Sequence, residues 1–412
     1  MEEEKTKKSS KAWLWILLII LVAAIAAGGY LYYKSLNTKE IFTSQVNQLF
    51  ESYGEEFAKV SDKINTTVSL SANIEAQNEQ IKPYAQIIND GKLTFNVQQD
   101  PSTKKTLVGL NVDYQNQSLI KGNVFYAEGD SNLYFFVQDL FDKYFKIDIN
   151  KVLTDESQKQ QLQDALGGNM LLASKEDANK VITIIEKEIE ANLEDKYFTR
   201  ENVDGMTKNS FKISSAEIKQ VIITIANNLK NNKEFLSCYK NQNKVIEILD
   251  TAVKEMSELT EKDESELEVS IYTTGLLTKE VKKIVFSIKA SENKNATLTI
   301  VPIDENNYEY ELSANTSDST TSVQSLKGTV KVEKTGNVEK TTIVAENIPS
   351  VGKVTLNVEV QNEQNTTLDT INVADSVDIM SLTPQQQAIL SSNLTKMRIY
   401  SLIAPFLMRG MQ

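Results

Sequence analysis

The chain reads as an α+β protein: a single membrane-spanning helix near the N-terminus, then a curved antiparallel sheet packed on a helical layer. Three observations predict this. Ala12 to Tyr33, AWLWILLIILVAAIAAGGYLYY, carries no charge. Two long blocks downstream alternate apolar and polar residues with period two. The block between them repeats apolar residues at three- and four-residue steps.

An uncharged stretch of this length suits a helix crossing about 30 Å of hydrocarbon, and it exceeds the roughly 7 to 15 residues of a secretory apolar core. The expectation is an uncleaved anchor. A lipid-modified terminus needs a cysteine just after the apolar run, and the single cysteine is Cys238. Lys5, Lys7, Lys8 and Lys11 precede the span while Lys34 and Lys39 follow it, which predicts a cytoplasmic N-terminus with the bulk of the chain outside the plasma membrane. Trp13 and Trp15 at one end, and Tyr30, Tyr32 and Tyr33 at the other, stand where amphipathic rings favour the membrane interface. The predicted organisation is a tail over 1–11, the span over 12–33, a juxtamembrane helix over 34–65 and an extracytoplasmic region over 66–412.

The juxtamembrane helix rests on Phe42, Val46, Leu49, Phe50, Tyr53, Phe57, Val60 and Ile64. Strands are expected over 66–150, where Leu93, Phe95 and Val97, then Leu110, Val112 and Tyr114, then Leu133, Phe135 and Val137, and finally Phe145, Ile147 and Ile149 alternate with polar neighbours. Helices dominate 155–260 through three rows: Val181, Ile185, Ile189, Leu193 and Tyr197; Val221, Ile222, Ile225 and Leu229; Val245, Leu249, Ala252, Met256 and Leu259. YFTRENVDGMTKNSFKIS between the first two rows reads as a hairpin. Strands return over 266–373, with Thr335-Gly336-Asn337 and Glu305-Asn306-Asn307 as hairpin turns. A last helix is expected over 383–408, opened by Pro384. Its apolar end, Ile399, Leu402, Ile403, Phe406 and Leu407, fills a groove of the same molecule or engages a partner or lipid.

Composition narrows function by exclusion. The net charge is −12, and about −13 beyond the first eleven residues, which argues against nucleic acid and against a grip on anionic lipid headgroups. Histidine is absent, so histidine-dependent nucleophilic catalysis and the commonest metal ligand are missing. One cysteine excludes internal disulfides and cysteine-rich zinc sites. Neither a Walker loop, a dinucleotide glycine fingerprint nor an EF-hand loop is present, so no cofactor is expected.

Ser237 to Lys240, Ser313 to Asn315 and Lys334 to Gly336 resemble, in order, the SxxK, SxN and KTG elements of penicillin-binding proteins and serine β-lactamases. Their spacing is compressed, SxxK recurs at Ser118 and Ser350, and a hairpin turn explains Lys334-Thr335-Gly336. The expectation is a non-enzymatic protein. Glu261, Asp263, Glu264, Glu266 and Glu268 read as a solvated charge run.

Leu267 to Ile288, LEVSIYTTGLLTKEVKKIVFSI, resembles the LolA and LppX-like lipoprotein-carrier superfamily: a strand, a turn with Gly275, then a strand with a Lys-Lys-Ile core. The Lys-rich tail, single anchor, KEIF helix start (Lys39 to Phe42) and following strands are similar to membrane-anchored surface proteins of low-GC Gram-positive bacteria, a source that the scarcity of arginine also suggests. The carrier resemblance implies a half-barrel sheet closed over helices around an apolar cavity, suited to lipid or another hydrophobic ligand. The other expectation is a structural protein contacting an envelope protein through its sheet face or C-terminal helix.

Overall fold

The structure is a computed structural model that describes residues 39, 42, 63–100, 102–127, 129–153, 175–239, 241–258, 265–274, 280–291, 294–316, 324–364 and 366–398. The chain divides into two compact units. The first comprises Met1–Ala58 and Leu172–Lys327, the second Lys59–Leu171 and Gly328–Gln412.

Three long helices shape the first unit: α3 (Lys175–Asn192), α4 (Ser215–Asn231) and α6 (Gln242–Glu258), with a short α5 (Lys233–Ser237) between the last two. They pack on one another. A capping box starts α4: the Ser214 hydroxyl accepts from the Glu217 amide, and the Glu217 carboxylate accepts from the Ser214 amide. The unit's strands are β7 (Phe198–Val203), β8 (Met206–Ser214), β9 (Glu266–Thr274), β10 (Glu280–Ser291), β11 (Lys294–Pro302) and β12 (Asn307–Thr316), neighbours in the order β12-β11-β10-β9-β8-β7. The expected hairpin is present as β7 and β8. Asp204 and Gly205 turn it with φ of 51° and 77°, left-handed values that suit such a loop.

One face of this sheet is dry. Phe211 and Ile213 of β8, Leu267, Val269 and Ile271 of β9, and Ile284 and Phe286 of β10 form a core with Phe42 and Tyr197. Val269 and Ile271 are 0 % exposed. Ile189 of α3, Leu193 just beyond it, and Ile218 and Val221 of α4 pack against the same cluster, so helical stripes close this face.

Among its described residues the second unit holds ten strands. Beginning with β1 (Ile64–Ala76), it continues through β2 (Gly91–Asp100), β3 (Lys105–Tyr114), β4 (Gln117–Ala127), β5 (Asn132–Val137) and β6 (Phe145–Asp148). Its remaining strands are β13 (Gln324–Thr335), in which the boundary between units falls, β14 (Val338–Ile348), β15 (Gly352–Gln364) and β16 (Val377–Asp378). Their order is β16-β6-β5-β4-β3-β2-β1-β15-β14-β13. From β6 to β14 along this order neighbouring strands run antiparallel, and β16 runs parallel to β6. The helices here are short: α1 (Lys82–Asn89), the single turn α2 (Ile149–Val152) and α7 (Pro384–Lys396).

This architecture corrects the expected one. Sixteen strands dominate the described residues, and the long helices of the middle third lie in the first unit, where two of them pack on its strands. The strand blocks are also shuffled. β15, from the last third, pairs along its whole length with β1, Ile64 opposite Gln364 and Ala76 opposite Gly352. Among the described residues, no helix is long and apolar enough to cross a membrane, and the expected span over 12–33 lies outside them. Of the juxtamembrane helix only Lys39 and Phe42 are described, both helical, and its expected end is overturned because Ile64 already opens β1. α1 was not expected; Pro83 at its first turn supplies the pre-set φ that starts it.

Candidate binding face

Register places one long apolar row on a single face of the second unit's sheet. Directly opposed residues in antiparallel strands share a face. Val354, Leu356, Val358 and Val360 of β15 stand opposite Ile74, Ala72, Leu70 and Val68 of β1. Leu70 and Val68 in turn oppose Leu93 and Phe95 of β2, which oppose Val112 and Leu110 of β3. The row continues through Val97, Val108, Val124 and Phe135 to Phe145 of β6.

This face is not closed as the first unit's is. From β15 to β5, each of these residues is half-buried or exposed, and Phe95 is 36 % exposed. The face is closed toward the β6 end, where Tyr126 of β4, beside Val124, is 2 % exposed and Phe145 is 1 % exposed and stacks on Phe135 at 5.2 Å and on Phe141 at 5.1 Å between ring centroids. At the other end of β1, α1 turns in its Ala85, and the Asn89 side chain exchanges hydrogen bonds with the Ile74 backbone. Tyr84 and Ile88 of α1 stay exposed.

The opposite face of this sheet is polar and partly strapped. After β15 the chain crosses back over β2 to β6. The Asp369 amide donates to the Gln98 side-chain oxygen at 3.0 Å, and the Gln98 amide group donates to the Asp369 carboxylate at 2.9 Å. Leu368, Ile371 and Val373 then cover Leu107, Phe125 and Tyr134. The Tyr134 hydroxyl donates to Asp130 at 2.8 Å, and burial together with that carboxylate pushes its pKa up to about 12. Asp100, at the end of β2, is buried and accepts from the Ser102 hydroxyl and amide while pairing with Lys63 at 3.0 Å. The Ser102 hydroxyl foremost, then Lys63, hold its carboxyl well below the usual carboxylate range against the effect of burial.

In the first unit the polar concentration lies on the other face of β8 to β11, where Ser210 and Ser270 are themselves buried. Lys208 pairs with Glu201 at 3.0 Å and with Glu268 at 2.9 Å. Glu268 also accepts from Ser270 at 2.8 Å, and Ser210 and Ser270 share a hydrogen bond of 2.9 Å. Burial opposes the charge of Lys208, yet the two carboxylates raise its pKa; burial likewise pushes Glu268 up, yet Lys208 and Ser270 bring it down. Beside them is a shallow open cleft lined by Glu266, Glu268, Ser287, Ile288, Lys289, Asn295 and Thr297. The charges pair within the sheet, Lys212 with Glu266 included.

The residues singled out from sequence disperse. Trp13, Trp15, Tyr30, Tyr32 and Tyr33 lie outside the described residues, as do Ile399, Leu402, Ile403, Phe406 and Leu407. Lys240 is also outside them; the Ser237 hydroxyl donates to the Glu234 carbonyl at 2.8 Å, ordinary helical back-bonding. Lys334 and Thr335 end β13, and Gly336, at φ 61°, opens the turn into β14. Cys238 is 1 % exposed, its thiol donates to the Glu234 carbonyl at 3.3 Å, and burial pushes its pKa up. Of the acidic run, Glu266 and Glu268 are the β9 partners of Lys212 and Lys208. The open row itself was visible only in pieces: alternation marks Leu93, Phe95, Leu110 and Val112 as one-sided, but it carries no sign of what covers that side.

No family model and no curated protein matches the chain. A solved structure of a mutant transferrin-binding protein B, a vaccine antigen from Haemophilus parasuis Hp5, aligns over 74 % of this chain and 76 % of its own at 8 % identity and a TM-score of 0.12. A likeness that small carries no argument about fold or function.

Proposed function

We propose that this chain is a non-enzymatic, extracytoplasmic binding protein held at the plasma membrane, N-terminus inside, whose open sheet face takes a hydrophobic ligand or an apolar part of a cell-envelope component. The observation that carries the reading is the unclosed row from Val354–Val360 through Leu93 and Phe95 to Leu110 and Val112. Soluble proteins seldom leave a contiguous apolar patch of more than a few hundred Å² without a use for it. The uncharged stretch over 12–33 and the lysines before it support the location.

A face of half-buried Val, Leu and Phe, without converging polar groups, suits acyl chains and similar apolar shapes, which need contact area rather than directional bonds. The same face supports the second reading, a structural protein docking another envelope protein. A fluorescent fatty-acid probe separates the two. Titrated into the full chain, it is expected to bind, and Phe95→Glu with Leu110→Glu is expected to weaken it by at least about tenfold, or about 1.4 kcal/mol. Binding that ignores both substitutions would remove the ligand reading. Absence of any uptake, with a reproducible protein crosslink on this face in cells, would favour the second.

A further inference from the structure

We propose that the open face of the second unit selects a lipid with an uncharged head, one that offers a hydroxyl or carbonyl oxygen, and that Thr106 is the residue that reads this head. The proposal rests on the reading of the face as a binding surface and names the class of molecule it takes.

Charge is the first observation. The chain is 24 % charged, yet among the described residues of β15 and of β1 to β6, no Asp, Glu, Lys or Arg stands on this face. These strands do carry charge, but register sends it to the opposite face. Glu359 and Glu363 of β15 oppose Ser69 and Asn65 there, Lys92 of β2 opposes Asp113 of β3, and Lys121 of β4 opposes Asn111. Past β15 the first charge on the apolar side is the exposed Glu339 of β14, opposite Val360. An ionised head pressed onto this surface would lose its water and gain no counter-ion, and an anionic one would also meet Glu339 at the rim. An uncharged head avoids both costs.

The second observation is a polar atom without a partner. Thr106 opposes Gln99 of β2 and Tyr126 of β4, which places it on this face, at the corner where the open row meets the closed end. It is 7 % exposed, and its hydroxyl makes no hydrogen bond. Buried hydroxyls are ordinarily paired. One ligand oxygen at this corner would supply the missing partner, and a hydroxyl or carbonyl does so without bringing charge.

Direction follows from the same register. Val108, Leu110 and Val112 succeed Thr106 on this face of β3, with Val97, Phe95 and Leu93 of β2 opposite them. From Thr106 to Val112 the strand runs about 20 Å. A chain whose head sits at Thr106 therefore has a continuous half-buried or exposed apolar track to lie along.

The test uses the full chain and three single-chain lipids of equal length, a long-chain alcohol, an ionised fatty acid and an alkylammonium, each competing with the fluorescent fatty-acid probe. The alcohol is expected to bind at least about tenfold more tightly than either ion. Thr106→Val, which keeps the shape and removes the hydroxyl, is expected to abolish that advantage while leaving the fatty acid's affinity unchanged. Its unfolding midpoint should not fall, because the lost group had no partner. Thr106→Ser, which restores a hydroxyl, is expected to recover the preference. Equal binding of all three lipids, a preference for the alkylammonium, or an alcohol preference that survives Thr106→Val would overturn the proposal. If the probe then still bound and Phe95→Glu with Leu110→Glu weakened it, the binding reading would stand without this selectivity. No binding of any lipid would remove both.

Discussion

In the first unit Val269 and Ile271 are wholly enclosed, whereas in the second Phe95 keeps 36 % of its surface in water although it stands in an alternation of the same kind. The difference does not lie in the strands. It lies in what the chain provides next to them: α3 and α4 bring Ile189, Leu193, Ile218 and Val221 onto the first sheet, while in the second unit the described helices are short and sit at its margins. A period-two pattern thus announces that one face avoids water, and the neighbouring elements decide whether that face becomes a core or a surface to be occupied.

Truncations should separate the two regimes most strongly. Ile271→Ala is expected to cost about 2–5 kcal/mol, the range for an enclosed aliphatic side chain. Leu110→Ala, on the half-buried row, should cost less than about 2 kcal/mol, because much of its transfer free energy is never gained. Equal costs in denaturant titrations would erase the contrast. Next in size is Gly352→Ala. Gly352 has φ of 104°, and an added Cβ would press on the Glu75 carbonyl oxygen across the β1–β15 pair. A loss of about 1–3 kcal/mol is expected, read as a lower unfolding midpoint with faster exchange in β1.

Asp100→Asn sharpens the comparison from the polar side. The carboxylate holds the Ser102 and Thr103 amides and Lys63, so its loss should cost about 1–3 kcal/mol at neutral pH. Its folded pKa is depressed, so its stabilisation is complete above the unfolded value of about 3.9 and is lost as pH falls toward the folded one. Wild type and variant should therefore converge in acid, and a difference that stays constant from pH 7 to below pH 3 would refute this role. The smallest effect is expected at the first unit's polar face. Ser210→Ala should cost about 1 kcal/mol or less, since Glu268 keeps Ser270 and Lys208.

Much of the fold was legible. The described members of the helical rows lie in helices, apart from Leu193 and Tyr197 just past the end of α3, the 198–214 hairpin formed, and Pro384 opened α7 as its position predicts. What escaped was pairing. Ile64 and Gln364 are neighbours across β1 and β15, and nothing local in either strand names the other, because side-chain alternation fixes a face but not a partner. The same limit hid the open row, whose members come from strands far apart in sequence. α1 escaped for a different reason: eight residues give barely two turns, too few for a helical period to stand out from the strands on either side.

The central claim is that the second unit's sheet presents an apolar surface for occupation while the first unit's sheet does not. Irradiating the full chain with a photoactivatable fatty acid and mapping the modified residues tests it directly. The account predicts adducts on β1, β2, β3 and β15, at residues such as Leu70, Phe95, Leu110 and Val358. Labelling confined to the first unit, or spread over both units without preference, would contradict it.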